Sequence, residues 1–495
     1  MITISSGIPS PFVSLASNLH LLSKQHFIEH AIFLILFIRF LNILRYSINT
    51  EKKTWKINIS TIIYMPFFYS TDLKSQTIDP SSDIKNRKTT FRFAEDTAYY
   101  PNLRLTNLGC FGATAHSYNR VAGVYGCIRH IRLVSNGVEL DSMRFANRYL
   151  AWKNLLNTNR LNASVNRKLA KNRLGFEIQP TGHAVSSGLS GDENVTSADV
   201  ANSEANLGHL QLSACLPLLE NMPIIDTAVL KNLILEIEWE SDARNLISKD
   251  NVPQTIDTPI LIAEEITSQK LRTSLTAGFT GAVFNKVEHD VINIATIADP
   301  AGAGDTTEVN SVNQLNAFDD KFVSRVVLMK TYSDKSKYVD NHYVLGMGDF
   351  GSLVPHKEKI QLKINGANIF PQPLEHPTTK AMITADTWGK VNLPPYGMTE
   401  SVGADEEGSA QVNLSGAVAP LGTNKKARGF TGAGGFFGCS LNQKIGQLSL
   451  DYTRTGMNNS AATDPSCDSL DIHAYAECRK AMQINSDGSF VVSYT

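Results

Sequence analysis

No run of five or more lysines and arginines occurs in these 495 residues, whose formal net charge is −1. That removes the electrostatic footprint needed to grip a nucleic-acid backbone or an anionic membrane. The six cysteines (Cys110, Cys127, Cys215, Cys439, Cys467, Cys478) contain no C-x-x-C pair. In a chain large enough to fold without staples they read as buried or free thiols from a reducing compartment. Cys127 and His130 form a lone C-x-x-H with no second pair at zinc-finger spacing, so no metal is expected there. There is no HExxH and no G-x-x-x-x-G-K-[ST]. The glycine-rich stretch from Gly429 to Gly438 has no following lysine and reads as a loop rather than a phosphate cradle. Gly188-Leu-Ser-Gly is not a nucleophile elbow.

What is present is a signature that occurs twice. Ile128, His130 and Ile131 to Val134 lead into Asn136-Gly137, and Trp152 follows. Ile360, Leu362 and Ile364 lead into Asn365-Gly366, and Trp388 follows. Asn-Gly between alternating apolar residues is a strong hairpin signal, because both central residues of a type I′ turn need positive φ. The chain therefore reads as two similar halves.

Residues 1–64 differ from the rest. They hold 13 isoleucines, two alanines, one glycine and no aspartate. This is the composition of translated AT-rich DNA, and Met65 is the expected natural start, with 1–64 a non-native or disordered extension. Two rival readings are an ordinary arm and a membrane anchor at residues 31–44. Arg39 and Asn42 interrupt that apolar stretch, and a spanning helix needs about 20 residues with few charges. Without the segment the balance is 40 basic to 45 acidic side chains, a net of −5.

The body is 42% hydrophobic and 19% charged over the full length, with 33 glycines, enough to bury sizeable cores between many turns. Strands are expected at 89–93, 126–134, 233–239, 259–262, 287–294, 322–329, 448–452, 470–475 and 490–494. Leu233, Leu235, Ile237 and Trp239 alternate with Glu236 and Glu238, giving one buried and one wet face. Val326 to Met329 is continuously apolar, as a strand covered on both faces would be. Asp141 or Ser142 is placed to cap a short helix that carries Phe145, Tyr149, Trp152 and Leu156 on one side. Segments 181–207 and 396–437 read as long loops, and 295–315 as the linker. Many short strands with brief helices indicate a β-sandwich in each half, divided as 65–300 and 301–495.

These pieces, in this order, resemble the double jelly-roll major capsid proteins of eukaryotic double-stranded DNA viruses, most of all those of polinton-like viruses and virophages. The likeness runs through Ile128-Arg-His-Ile-Arg-Leu-Val-Ser-Asn-Gly to Tyr149-Leu-Ala-Trp152, through 212–239 and through Pro259-Ile-Leu-Ile-Ala-Glu-Glu265. In the second half it takes in Ala317-Phe-Asp-Asp-Lys-Phe to Lys330, 359–370 with Asp386-Thr-Trp-Gly389, and His473-Ala-Tyr-Ala-Glu-Cys-Arg-Lys480. The resemblance implies an all-β chain of two consecutive eight-stranded jelly rolls. It also implies a homotrimer forming a pseudo-hexameric, hexon-like capsomer that tiles an icosahedral virion shell. Implied partners are further copies, penton proteins and minor capsid proteins, with no sequence-specific nucleic acid and no membrane unless 31–44 is an anchor. Localisation would be the virion capsid.

No catalytic, cofactor-binding or metal residue is assigned. Glu264-Glu265, Asp319-Asp320 and Glu406-Glu407 are adjacent acids, and neighbours along a strand point to opposite faces instead of converging on a glycosidic bond. The sequons at Asn162, Asn194, Asn413 and Asn458 read as turn chemistry. The alternative functions are a carbohydrate-binding or carbohydrate-active β-sandwich, or a minor capsid or spike component.

Overall fold

Alternating apolar residues dictate strands here, and the order in which those strands pair defines the fold. The computed structural model describes residues 72–112, 116–117, 122–157, 169–170, 194–195, 207–242, 254–277, 279–298, 306–334, 358–375, 377–388, 437–457, 467–485 and 489–495. The extension 1–64, the loop 396–436 and most of 181–207 lie outside them.

Eight strands form the first set of sheets: β1 (Leu73–Ile78), β2 (Lys88–Arg92), β3 (Ala98–Leu108), β4 (Ile128–Ser135), β5 (Val138–Arg144), β6 (Gly208–Gln211), β7 (Ile234–Trp239) and β8 (Ile260–Ile266). Eight more form the second: β9 (Gly281–Ile294), β10 (Thr306–Gln314), β11 (Lys321–Tyr332), β12 (Glu358–Ile364), β13 (Ala367–Asn368), β14 (Phe437–Ile445), β15 (Leu448–Met457) and β16 (Leu470–Ile484).

The first set pairs as β1-β8-β3-β6 and β2-β7-β4-β5, the second as β9-β16-β11-β14 and β10-β15-β12-β13. Each order in the second set is the first advanced by eight. All these pairings are antiparallel. A first strand beside the last, with the third next along, is the jelly-roll arrangement of two Greek keys wrapped into facing sheets. The chain is all-β, two consecutive eight-stranded jelly rolls. Further strands add to these sheets: Pro80–Ile84 pairs with β2, and Phe490–Tyr494 pairs with the C-terminal end of β16.

Both Asn-Gly turns have the backbone that their sequence requires. Asn136 and Gly137 sit at φ of 47° and 79°, Asn365 and Gly366 at 50° and 81°. A strand and a short helix follow each turn: α1 (Ala146–Asn157) after β5 and α4 (Pro377–Trp388) after β13. Between them come α2 (Leu218–Asn221) and α3 (Gln269–Thr276), the latter capped by Ser268, whose hydroxyl accepts from the Leu271 amide.

Three expectations need correction. The changeover between rolls lies between Ile266 and Gly281, around α3. The boundary at 300/301 falls inside the second roll, because β9 pairs along its full length with β16. The polar segment 295–315, read as a linker, instead contains β10, an edge strand whose few apolar residues hid its period. Asp141 and Ser142 lie within β5 and do not cap α1. Asp141 instead accepts from the amide of Leu218 at 2.9 Å, at the start of α2.

Each roll has its own core. Phe91, Leu105, Ile131, Leu133, Leu235, Ile237 and Leu261 fill the first, and Val326, Leu328, Ile360, Leu362, Leu450 and Ile472 fill the second, all fully buried. Burial is the main favourable term in holding such sheets together.

Candidate assembly surfaces: the seam between the rolls

Strand β11 shows how the two rolls are joined. Val326 and Leu328 point into the core of the second roll, while Val327 and Met329 point the other way and join the apolar cluster of the first. Successive residues in a strand face opposite sides, so a continuous apolar run marks a sheet with both faces covered. The β9-β16-β11 sheet is thus wall to one roll and floor to the other.

Helix α1 is what meets that floor. The Tyr149 ring packs at a tilt of 47° against Tyr475 of β16, centroids 5.4 Å apart, and the Tyr475 hydroxyl donates to the carbonyl of Phe145 at 2.9 Å. Phe145, held at φ of 48° just before the helix, lies against His289 of β9 and His473 of β16. The hollow lined by Tyr149, Trp152, Arg325, Trp388, Tyr475 and Glu477 is too tight for a water molecule.

Charged groups close the rest of the seam. Lys286 of β9 bridges Glu139 of β5 at 3.0 Å and Glu288 at 3.2 Å. Burial pushes the Glu139 carboxyl up, but the Ser142 hydroxyl and Lys286 outweigh it and hold it at about 2. Asp141 is fully buried, and burial prevails over its amide donors to raise it to about 7. His289 and His473 sit 2.9 Å apart, Nε2 to Nδ1. Burial first, then the nearby Arg148 guanidinium, pushes His289 down to about 3 and His473 well below its usual value. Both imidazoles are neutral at physiological pH.

A second buried polar group lies inside the second roll. Lys330 and Glu358 pair at 2.6 Å with side chains 0% and 1% exposed. Tyr452 donates its hydroxyl to the same Glu358 oxygen, and Lys380 of α4 donates to the Glu358 carbonyl at 2.9 Å. Arg454 reaches the carbonyls of Asp468 and Ala295. These groups tie α4 and the strand ends into the roll.

The residues weighed for chemistry are dispersed. Cys127 is buried in the first core, while His130 lies across the strand pair from Glu238, 3.7 Å away. Glu264 faces Arg104 at 3.6 Å, and Glu265 lies beside Lys74 on β1. Asp319 and Asp320 form the turn into β11. Among the described residues no cluster of three or more His, Cys, Asp or Glu is placed to hold a metal. Of the glycine-rich stretch only Gly438 is described with its surroundings, on β14 against the Trp388 ring. Glu406-Glu407 and the sequons at Asn162, Asn413 and Asn458 fall outside the described residues, and Asn194 is in a two-residue strand paired with 116–117.

Large apolar side chains do remain exposed. Met382 on α4 is 61% exposed, Val283 59% and Val312 58%. The sequence had pointed to no particular surface residue for assembly, and Met382 in the middle of a short helix gave no periodic signal.

No family model and no curated protein sequence matches this chain. Several solved structures are similar to it. The mavirus major capsid protein aligns at 11% identity and a TM-score of 0.49, covering 91% of this chain and 93% of that one. A quasi-atomic PBCV-1 virus capsid aligns at 9% identity and 0.45, over 86% of this chain and 96% of that one. The Faustovirus major capsid protein gives 9% and 0.43, over 90% and 96%. The fold assignment itself rests on the strand order described above.

Proposed function

We propose that this chain is the major capsid protein of a double-stranded DNA virus, a structural protein without catalytic activity. The observation that carries the reading is the doubled strand order. A single jelly roll serves lectins and cupins as well as capsids, and fold alone does not fix function. Two rolls of identical order in one chain, joined through an apolar seam, form a two-lobed block, and three such blocks make a closed ring of six rolls. The ring is the capsomer, further copies tile the shell, and penton and minor capsid proteins complete it.

A glycan-binding sandwich would need an aromatic platform open to solvent. The three described tryptophans, Trp152, Trp239 and Trp388, are instead engaged in packing and hydrogen bonds. Electron microscopy of the purified full chain tests the proposal. Blocks of hexagonal outline, alone or tiled into shells, are expected, while scattered single two-lobed particles would refute it. Copy number in a purified particle separates a major from a minor component.

A further inference from the structure

The two Asn-Gly turns share a backbone clasp and differ in what holds the asparagine side chain. In the first roll the Asn136 amide donates to the carbonyl of Lys231 at 3.1 Å, in the loop leading into β7. In the second the Asn365 amide donates to the carbonyl of Gln447 at 2.9 Å, just ahead of β15. The Asn365 carboxamide completes a ring with that same residue, its Oδ1 accepting from the Gln447 amide at 2.9 Å. It lies so close to the neighbouring turn that a Cβ on Gly446 would fall 2.7 Å from Oδ1. The Asn136 Oδ1 is held only by the side-chain amide of Asn232, at 2.9 Å, and both residues are exposed.

An asparagine followed by glycine carries the reagents for its own modification. The Gly137 amide nitrogen, on losing its proton, attacks Cγ of Asn136. The new N–Cγ bond forms, the Cγ–Nδ2 bond breaks, and the side-chain nitrogen leaves as ammonia with the proton. Water then opens the succinimide at either carbonyl to give aspartate or isoaspartate, with no net oxidation or reduction. Space does not limit the step at either turn, since nothing lies within 4 Å of a Cβ built on Gly137 or Gly366. Conformation does. Ring closure needs a ψ that the type I′ turn does not have, so the turn must open locally and the carboxamide must swing free. Asn136 has to leave one exposed side-chain donor, whereas Asn365 has to leave a backbone amide.

We propose that Asn136-Gly137 is a site of spontaneous deamidation in the folded protein and that Asn365-Gly366 is its protected counterpart. The change puts a negative charge at the tip of the β4–β5 hairpin. As isoaspartate it also adds a backbone atom to a turn whose length sets the hairpin register. Assembly plays no part in this chemistry, so its failure leaves the capsid reading untouched.

The full native chain is incubated at mildly alkaline pH, once folded and once in concentrated urea. Conversion at each asparagine is followed by peptide mass spectrometry in heavy-oxygen water, and isoaspartate by an isoaspartyl methyltransferase. In the folded protein Asn136 is expected to convert while Asn365 stays largely intact. The protection, taken as the urea rate over the folded rate at the same site, is expected to be several-fold greater at Asn365. Equal or reversed protection overturns the proposal. So does an Asn136 that stays unmodified in the folded chain over a period in which the unfolded chain converts.

Discussion

The indole rings of Trp152 and Trp388 meet edge to face, their centroids 4.8 Å apart and their planes at 70°. The residues that close the two copies of the repeated signature thus touch one another across the junction of the two rolls. Edge-to-face pairs add about 0.5–1.5 kcal/mol beyond the area they bury. Trp152→Ala is expected to cost about 3–5 kcal/mol, as truncation of a buried tryptophan does. A double-mutant cycle with Trp388→Ala, read by urea unfolding, should return a coupling of about 0.5–1.5 kcal/mol. Strict additivity would show that the contact contributes nothing.

Gly438 lets α4 lie close to β14. A Cβ there would fall 2.3 Å from the Trp388 ring and 3.0 Å from the Val326 carbonyl. Gly438→Ala should destabilise the second roll by about 1–3 kcal/mol, the usual range for overpacking. In a Trp388→Ala background the penalty should shrink, and equal penalties in both backgrounds would place the strain elsewhere.

The Lys330–Glu358 pair is a commitment of the second roll. Burial opposes ionisation of Glu358, but Lys330 and Lys380 outweigh it, and the carboxyl stays below its usual value. A depressed folded value means its stabilisation is present above the unfolded value of about 4.5 and is lost as pH falls through the folded one. Glu358→Gln leaves two buried ammonium groups without their carboxylate and should cost about 3–5 kcal/mol at pH 7. Lys330→Met with Glu358→Met should recover part of that loss, as calorimetry would show.

His289 and His473 make the seam sensitive to acid. Their folded values lie below the ordinary 6.5, that of His289 at about 3, so below 6.5 the unfolded chain binds more protons and stability is lost as pH falls. The groups facing them are Arg148, Arg144, Phe145 and Tyr475. None supplies a carboxylate to offset the new charge. The double variant His289→Gln, His473→Gln should show a smaller drop in melting temperature from pH 7 to pH 5 than the native protein. An unchanged drop would assign acid sensitivity to other groups.

Much of this was legible from residues alone. The two Asn-Gly turns, the alternation of Leu235, Ile237 and Trp239, and the doubly covered run Val326 to Met329 state their positions by period and turn chemistry. The boundary was not legible, because β10 is an edge strand with polar residues on most positions and resembles a linker. Asp141 looked like a helix cap by spacing, yet the hairpin continues through it and its carboxyl serves a helix more than seventy residues further along the chain. Nor could any local pattern reveal that Trp152 and Trp388 touch, since that contact follows from how the rolls dock.

The central claim is self-association, and mass in solution tests it most directly. Sedimentation equilibrium of the full chain at micromolar concentration should give a single species of three times the 54.3 kDa chain mass, or larger multiples of it. A stable species at one chain mass across that range would contradict the account.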